Sequence, residues 1–161
     1  MMELHGSRTA TGYRFAIIAS RFNEEITEGL LRGARAAFAA AEVRDEDITL
    51  VRVPGAFEIP VTVLRLAGTG RFDAIVCLGS IIKGDTMHFE YIASAVSHGI
   101  MDASAATGVP VAFGVLTTLT DEQAAARAAD GPDNKGHEAA LAAVEMATLC
   151  RRIGEAGRHE R

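Results

Sequence analysis

A short polar segment between two apolar stretches contains the residues best suited to chemistry. It spans residues 79–91 and reads Gly-Ser-Ile-Ile-Lys-Gly-Asp-Thr-Met-His-Phe-Glu-Tyr. The apolar run before it, residues 74–78, predicts a buried strand that stops at the glycine, and the pattern from His88 onward predicts a helix. Because a helix N-terminus offers unpaired N–H groups to anions, Lys83, Thr86 and the loop amides are suited to hold a phosphate.

His88 adds a proton carrier to this segment. A histidine side chain gains and loses a proton near neutral pH, so His88 can act as a general acid or base beside a bound anion. A simpler interpretation is also open, because a glycine-rich turn is common wherever a strand leads into a helix. In that case Lys83 and Asp85 form only a solvated ion pair.

The composition limits the kind of protein. The chain has 161 residues, 48% of them apolar, no tryptophan and a formal net charge of -5. This length fits one domain, and the charge argues against nucleic acid or an anionic membrane as the main partner. No apolar run is long enough to span a bilayer and the first residues do not resemble a signal peptide, so we expect a cytoplasmic protein. Cys77 and Cys150 lack the spacing of metal ligands, so we expect reduced thiols and no metal site.

Short apolar runs alternate along the chain with segments of helical periodicity, and together they predict the strands and helices that must position these residues. The four expected strands, each followed by a helix, lie at residues 13–19, 48–53, 74–78 and 109–116. This order predicts an α/β three-layer sandwich, in which a four-stranded parallel sheet has helices on both faces. Residues 1–12 are expected to form a loose arm, or an extra strand on another subunit's sheet. Residues 13–153 form the single expected domain, and residues 154–161 a frayed polar tail.

The helical segments give further expectations. Asn23 is the expected N-cap of the first helix. Pro60 fits only the first turn of the second helix, which is expected to bury Val61 and Leu64. The last helix, from about residue 134 to 153, is expected to bury one apolar stripe that consists of Ala142, Met146, Leu149, Cys150 and Ile153. An alanine-rich helix on so small a sheet leaves apolar surface, which oligomerisation would cover.

Unusual residues follow three of the predicted strands. Phe22 follows the first strand, residues 55–58 the second and residues 80–88 the third. The carboxyl ends of parallel strands meet at the same edge of a sheet, where this architecture binds ligands. There, Phe22 could stack on a planar ring and Glu58 could accept hydrogen bonds from hydroxyl groups. Alternatively, Phe22 packs on its own helix and Glu58 is a carboxylate favoured by the helix dipole.

Two cations flank a break between helices. Arg127 is expected at the end of a short helix that Thr120 caps, and Lys135 opens the next helix. A cation suits the C-terminal end of a helix dipole but opposes the N-terminal end. Lys135 therefore needs another reason for its position, such as an anion.

Several motifs keep a consistent order and spacing from about Tyr13 to Ile153. They are Arg21-Phe22-Asn23, residues 53–60 (Val-Pro-Gly-Ala-Phe-Glu-Ile-Pro), residues 79–91, residues 111–118 (Val-Ala-Phe-Gly-Val-Leu-Thr-Thr) and Asn134-Lys135-Gly136. Together they resemble the lumazine synthase family. The resemblance implies a flavodoxin-like fold and a transferase of riboflavin biosynthesis. Such an enzyme condenses 5-amino-6-(D-ribitylamino)uracil with 3,4-dihydroxy-2-butanone 4-phosphate, releasing phosphate and water, without a metal or organic cofactor.

The resemblance also implies roles for individual residues. His88 would transfer protons. The ribitylaminouracil would be bound by Phe22, Ala56, Phe57, Glu58, Ser80, Ile81, Ile82, Phe113 and Lys135. The butanone phosphate would be bound by Asp85, Thr86 and Arg127. Because Phe113, Arg127 and Lys135 match positions that the family supplies from a neighbouring subunit, the resemblance implies a homopentamer with its small-molecule sites at subunit interfaces.

The segment between Arg127 and Asn134 departs from the family pattern. It reads Ala-Ala-Asp-Gly-Pro-Asp, where many members carry a Gly-Thr-Lys-Ala-Gly type of sequence. This loop influences further assembly in the family, so an icosahedral shell stays an open alternative. Rival functions are an archaeal-type riboflavin synthase, a non-catalytic lumazine- or flavin-binding shell protein and a flavodoxin-like electron carrier. Residues 57–58 and His88 favour a lumazine synthase over a riboflavin synthase. Residues 20–23 do not resemble a loop that binds a flavin phosphate, which argues against the electron carrier.

Overall fold

Strands and helices alternate along the part of the chain that the computed structural model describes, residues 1–159. The strands are β1 (Phe15–Ser20), β2 (Ile48–Val53), β3 (Ala74–Ile82) and β4 (Val111–Thr118). The helices are α1 (Glu24–Ala40), α2 (Ile59–Ala67), α3 (His88–Thr107), α4 (Asp121–Ala128) and α5 (Lys135–His159). Within the described residues, none of these helices combines the length and apolar character needed to cross a membrane.

The strands form one parallel sheet in the order β2-β1-β3-β4. The two central strands, β1 and β3, are buried almost throughout because both sheet faces are covered, which suits their continuous apolar sequences. Strand β2 lies at an edge and is only partly buried, which suits its less uniformly apolar sequence. The predicted three-layer, flavodoxin-like sandwich is confirmed.

Side chains alternate between the two faces of the sheet and build two cores. On one face, strand residues such as Phe15 pack against α1, α4 and α5. The ring of Phe15 lies 4.7 Å from that of Phe38, centroid to centroid, and both rings are fully buried. On the other face, Ala16 and Ile18 belong to a core with α2 and α3. Helices on both faces thus fix the strand ends in space.

Two predictions of buried helix faces were wrong. In α2, Val61 and Leu64 are exposed, whereas Ile59 and Val63 are fully buried. In α5, the buried face consists of Ala139, Ala140, Ala143, Val144, Ala147 and Thr148, one residue out of phase with the predicted stripe. Both helices carry apolar residues on more than one face, so periodicity alone could not identify the face that packs.

The chain ends also differ from the expectation. The arm of residues 1–12 is not simply loose, because Ser7 donates its backbone N–H to Thr148 Oγ1 on α5 at 2.7 Å. Ala10 is buried and donates to the carbonyl of Ala41 at 2.9 Å. At the other end, α5 continues through residues 154–159, which were expected to fray. The rest of the predicted tail, residues 160–161, lies outside the described residues.

Candidate active site

Strand β3 is longer than its sequence indicated. It does not stop at Gly79 but continues to Ile82, because Ser80 pairs with Leu116 and Ile82 with Thr118 of β4. The predicted loop is therefore shorter, and residues 80–82 are held by a sheet ladder. Pairing of β3 with β1 ends earlier, at Leu78. Backbone groups of residues 80–82 on the β1 side thus face a gap at the sheet edge.

The turn after β1 closes part of this gap. Asn23 adopts the left-handed conformation, with φ 56° and ψ 49°, which asparagine tolerates better than most residues. Its side chain does not cap α1 as predicted. Instead, Asn23 Nδ2 donates to the carbonyl of Ser80 at 2.9 Å and ties the turn to β3. Phe22 is left on the surface with 71% of its area exposed.

The segment after β2 brings a second ring to the same edge. Phe57 is exposed and Ala56 is buried in the short turn, residues 56–58, that leads into α2. The carboxylate of Glu58 turns back and accepts a hydrogen bond from the Gly55 N–H at 2.9 Å. The carboxylate thus caps its own turn. The simpler interpretation of Glu58, as a carboxylate favoured by the helix dipole, did not include this contact.

The loop after β3 leads directly into α3, whose first residue is His88. The predicted helix start is confirmed. His88 is exposed, and its backbone N–H lies 3.4 Å from Thr86 Oγ1. Lys83 does not pair with Asp85. Its Nζ lies 3.1 Å from a carboxylate oxygen of Glu90, and this hydrogen bond lowers the pKa of Glu90.

These elements enclose a cavity of about 560 Å³, called here the strand-end cavity. It is lined by Phe22, Asn23, Gly55, Ala56, Phe57, Ser80, Ile81, Ile82, Gly84, Thr86, His88, Phe89 and Ile92. The structure thus brings together most of the site residues predicted around the first three strands. Within the part of the chain that the structure describes, two of these predicted residues, Glu58 and Asp85, do not line the cavity. Its size is typical of a site for a small organic ligand.

Five lining residues were not among the predicted site residues. Two of them, Asn23 and Gly55, lie in the turns after β1 and β2, beside Phe22 and Ala56. Gly84 belongs to the polar segment, Phe89 follows His88 and Ile92 lies one helical turn further along α3. Their proximity to His88 in sequence was the available signal. Ser80 contributes a further feature, because its buried hydroxyl has no hydrogen-bond partner among the residues that the structure describes. Such a group is costly unless a ligand or water satisfies it.

A second cavity, of about 330 Å³, lies beside β4 and is called here the cationic cavity. Its lining includes Phe113, Arg127 and Lys135, which the structure brings together but places apart from the strand-end cavity. Arg127 is exposed and donates from Nη1 to the carbonyl of Gln123 at 3.0 Å. Lys135 forms an ion pair with Glu138, one turn along α5. Glu138 therefore supplies an anionic partner for the cation at this helix start.

Fold and cavities together define a class. The chain is a flavodoxin-like α/β protein with a cavity at the carboxyl ends of its strands, where this class binds small molecules.

Comparison with known proteins identifies the family. The model of the 6,7-dimethyl-8-ribityllumazine synthase family matches residues 12–151. A protein of that name from Syntrophus aciditrophicus (strain SB) is 50% identical over 148 residues, which cover 92% of this chain and 96% of that protein. Another, from Salinibacter ruber (strain DSM 13855 / M31), is 47% identical over 147 residues, or 91% and 94% of the two chains. The chain belongs to the 6,7-dimethyl-8-ribityllumazine synthase family.

Proposed function

We propose that this chain is an active transferase of riboflavin biosynthesis that makes 6,7-dimethyl-8-ribityllumazine. Its substrates are 5-amino-6-(D-ribitylamino)uracil and 3,4-dihydroxy-2-butanone 4-phosphate, and phosphate and water leave. The observation that carries this proposal is the strand-end cavity. It combines exposed rings, free strand backbone and a histidine at a helix start within one volume of about 560 Å³.

The uracil is proposed to bind at the strand ends. Phe22 is exposed beside the cavity and offers a flat apolar face for stacking. On the side that faces β1, the backbone of residues 80–82 offers hydrogen-bond donors and acceptors to a ligand. The ladder with β4 on the other side holds this backbone in place. Such fixed groups recognise the edge of a planar ring. The ribityl chain is assigned to residues 56–58, where Glu58 must exchange its bond with Gly55 for substrate hydroxyls.

The butanone phosphate is proposed to bind next to the loop before α3. Thr86 lines the cavity beside the N-terminus of this helix, whose N–H groups and dipole attract an anion. Asp85 is assigned to the same substrate, because its carboxylate can accept hydrogen bonds from the hydroxyl groups of that substrate. Arg127 is assigned to the phosphate itself, which its planar guanidinium can bind through two parallel hydrogen bonds.

The reaction needs proton transfers rather than a covalent nucleophile. The uracil amine adds to the ketone, and water leaves to give an imine. Phosphate is then eliminated, and the ribitylamino nitrogen closes the ring onto the remaining carbonyl with loss of a second water. Each of these steps moves a proton to or from carbon, nitrogen or oxygen. His88 lines the cavity and can carry such protons, while holding both substrates in one orientation supplies much of the remaining acceleration.

We further propose a cytoplasmic homopentamer in which each site is completed by a neighbour. The cationic cavity holds Phe113, Arg127 and Lys135 at a separate place on the same chain. If these residues serve the same reaction, the cationic cavity of one subunit must face the strand-end cavity of the next. Exposed apolar side chains such as Val61, Leu64 and Met146 supply surface that subunit contacts would cover. Sedimentation would distinguish a pentamer from an icosahedral shell.

The direct test is to mix the purified protein with both substrates and follow formation of the fluorescent lumazine, against the uncatalysed reaction. We expect protein-dependent product that falls strongly in His88→Ala. Tight lumazine or flavin binding without any acceleration would contradict the proposal and indicate a non-catalytic binding protein. Conversion of added lumazine to riboflavin would indicate a riboflavin synthase instead.

A further inference from the structure

The side chain of Asn134 joins three helices and directly precedes Lys135, one of the residues that line the cationic cavity. It lies in the loop between α4 and α5 and is only 1% exposed. Its Nδ2 lies 3.0 Å from each of three carbonyl oxygens, those of Gly29 in α1, Ala128 at the end of α4 and Ala129 beyond it. These helical carbonyls include ones that a helix end leaves without an internal partner. One amide group therefore attaches the end of α4 to α1.

The other half of the same side chain caps α5. Asn134 Oδ1 accepts from the backbone N–H groups of Gly136 at 2.9 Å and His137 at 3.1 Å. Asparagine is among the preferred residues for this N-cap role. The sequence placed the helix start correctly near Asn134, but the link to α1 spans 105 residues and has no local signal.

The surroundings leave this side chain little freedom. A Cβ atom on Gly33 would overlap the amide of Asn134, and one on Gly136 would overlap the backbone of Leu30. Helix α1 therefore approaches the α4–α5 loop as closely as backbone atoms allow. In such a site, the carboxamide has one usable orientation, with its nitrogen toward the carbonyls and its oxygen toward the α5 amides.

The two cations of the cavity flank this attachment point. Arg127 immediately precedes Ala128, whose carbonyl Asn134 holds, and Lys135 immediately follows Asn134. We propose that Asn134 is a positioning residue for anion binding, which fixes the backbone from which Arg127 reaches the phosphate-bearing substrate. This inference rests on the proposed function for the identity of that substrate.

The test separates attachment from capping. Asn134→Asp keeps an oxygen for the α5 amides but places a carboxylate against three carbonyl oxygens. Asn134→Ser also keeps a capping oxygen, without the charge, and is too short to reach α1. We expect both variants to raise the KM of the butanone phosphate and the Kd of inorganic phosphate about tenfold, the size of a lost charge-assisted contact. The KM of the ribitylaminouracil should change by less than about twofold, because both variants keep the oxygen that caps α5 at Lys135, and the sheet holds most of its proposed site.

A matched control and a double variant distinguish positioning from general weakening. Thr148→Val removes a hydroxyl on α5 that is also buried and hydrogen-bonded, but remote from both cations. It should lower stability and leave the phosphate KM and Kd unchanged. In an Arg127→Ala background, Asn134→Ser should add little further rise in the phosphate KM, because the two residues act through one contact.

Two outcomes would overturn the inference. One is a wild-type phosphate Kd in folded Asn134→Ser, measured well below its unfolding temperature. The other is a parallel rise in both substrate KM values, which a general structural role predicts. Failure of the proposed function gives a different result: wild-type protein would make no lumazine, while phosphate binding would still report on Asn134.

Discussion

The strand-end cavity and the cationic cavity differ in what holds their residues in place. Around the strand-end cavity, the backbone of residues 80–82 belongs to the parallel ladder between β3 and β4. The cationic cavity lies beside β4, an edge strand, and takes its charged residues from the facing ends of two helices. One buried side chain, that of Asn134, connects those ends to the rest of the domain. The sheet thus fixes the residues of the strand-end cavity, whereas the position of the charged residues at the helix ends depends on local contacts.

This difference predicts different consequences for substitutions. Changes at the strand ends should alter chemistry or ring binding and leave the fold intact. Changes where α1 meets the end of α4 and the start of α5, called here the helix junction, should mainly lower the stability and, to a smaller extent, weaken phosphate binding. The following variants test this division, from the largest expected effect to the smallest.

The largest effect is expected from Gly136→Ala. A Cβ at this position would overlap the backbone of Leu30, so α1 and α5 would have to separate. We expect a loss of about 3 kcal/mol or more in the free energy of unfolding, as for severe overpacking of a core. The matched control is Gly154→Ala on the same helix, where a Cβ would meet nothing within 4 Å. Chemical denaturation should show that the control is stabilised by about 0.5 kcal/mol, because alanine favours helix more than glycine. If the two variants were equally stable, the close contact between Gly136 and Leu30 would not limit the packing of α1 on α5.

His88→Ala should give the largest loss of activity among variants that fold normally. The side chain is exposed, so its removal creates no cavity. We expect kcat to fall about ten- to a hundredfold, at or below the lower end of general acid–base effects, since orientation of the substrates remains. Steady-state kinetics and a thermal unfolding curve provide the measurement and its control. An unchanged kcat would exclude His88 from the proton transfers.

The sequence predicted the strand-end region better than the helix junction, and for a physical reason. Strand β2 lies at residues 48–53 as predicted, and α3 begins at His88 as predicted, because apolar runs and turns are local signals. The end of β3 was missed because residues 80–82 are strand only by virtue of pairing with β4. Likewise, the buried faces of α2 and α5 depend on which of several apolar faces meets the sheet.

The site residues show the same limit. Phe22, Thr86 and His88 follow strands directly, and strand order alone indicates that they share an edge. Arg127 and Lys135 flank one break between helices in the sequence, but only the family resemblance grouped Phe113 with them. The link from Asn134 to Gly29 joins parts of the chain that no periodicity connects.

A smaller effect, on binding alone, is expected from Arg127→Ala. The guanidinium is exposed and its only intramolecular hydrogen bond in the described part of the chain is to its own helix, so the fold should tolerate its loss. We expect the KM of the butanone phosphate to rise about tenfold and kcat at saturation to change little. Arg127→Lys keeps the charge but loses the paired donors, and should lie between the two. If the KM of the ribitylaminouracil changed more than the KM of the butanone phosphate, the assignment of Arg127 to the phosphate substrate would be wrong.

The smallest expected change is a partial recovery of activity, and it tests whether the two cavities belong to one site. His88→Ala impairs only the strand-end cavity, and Arg127→Ala only the cationic cavity. When equal amounts of the two are unfolded, mixed and refolded, random assembly should give about a quarter of the interfacial sites two unaltered halves. Activity at low butanone phosphate should then exceed the mean of the two variants refolded separately. If both halves of a site came from one chain, every site would keep one defect, and mixing would give only that mean.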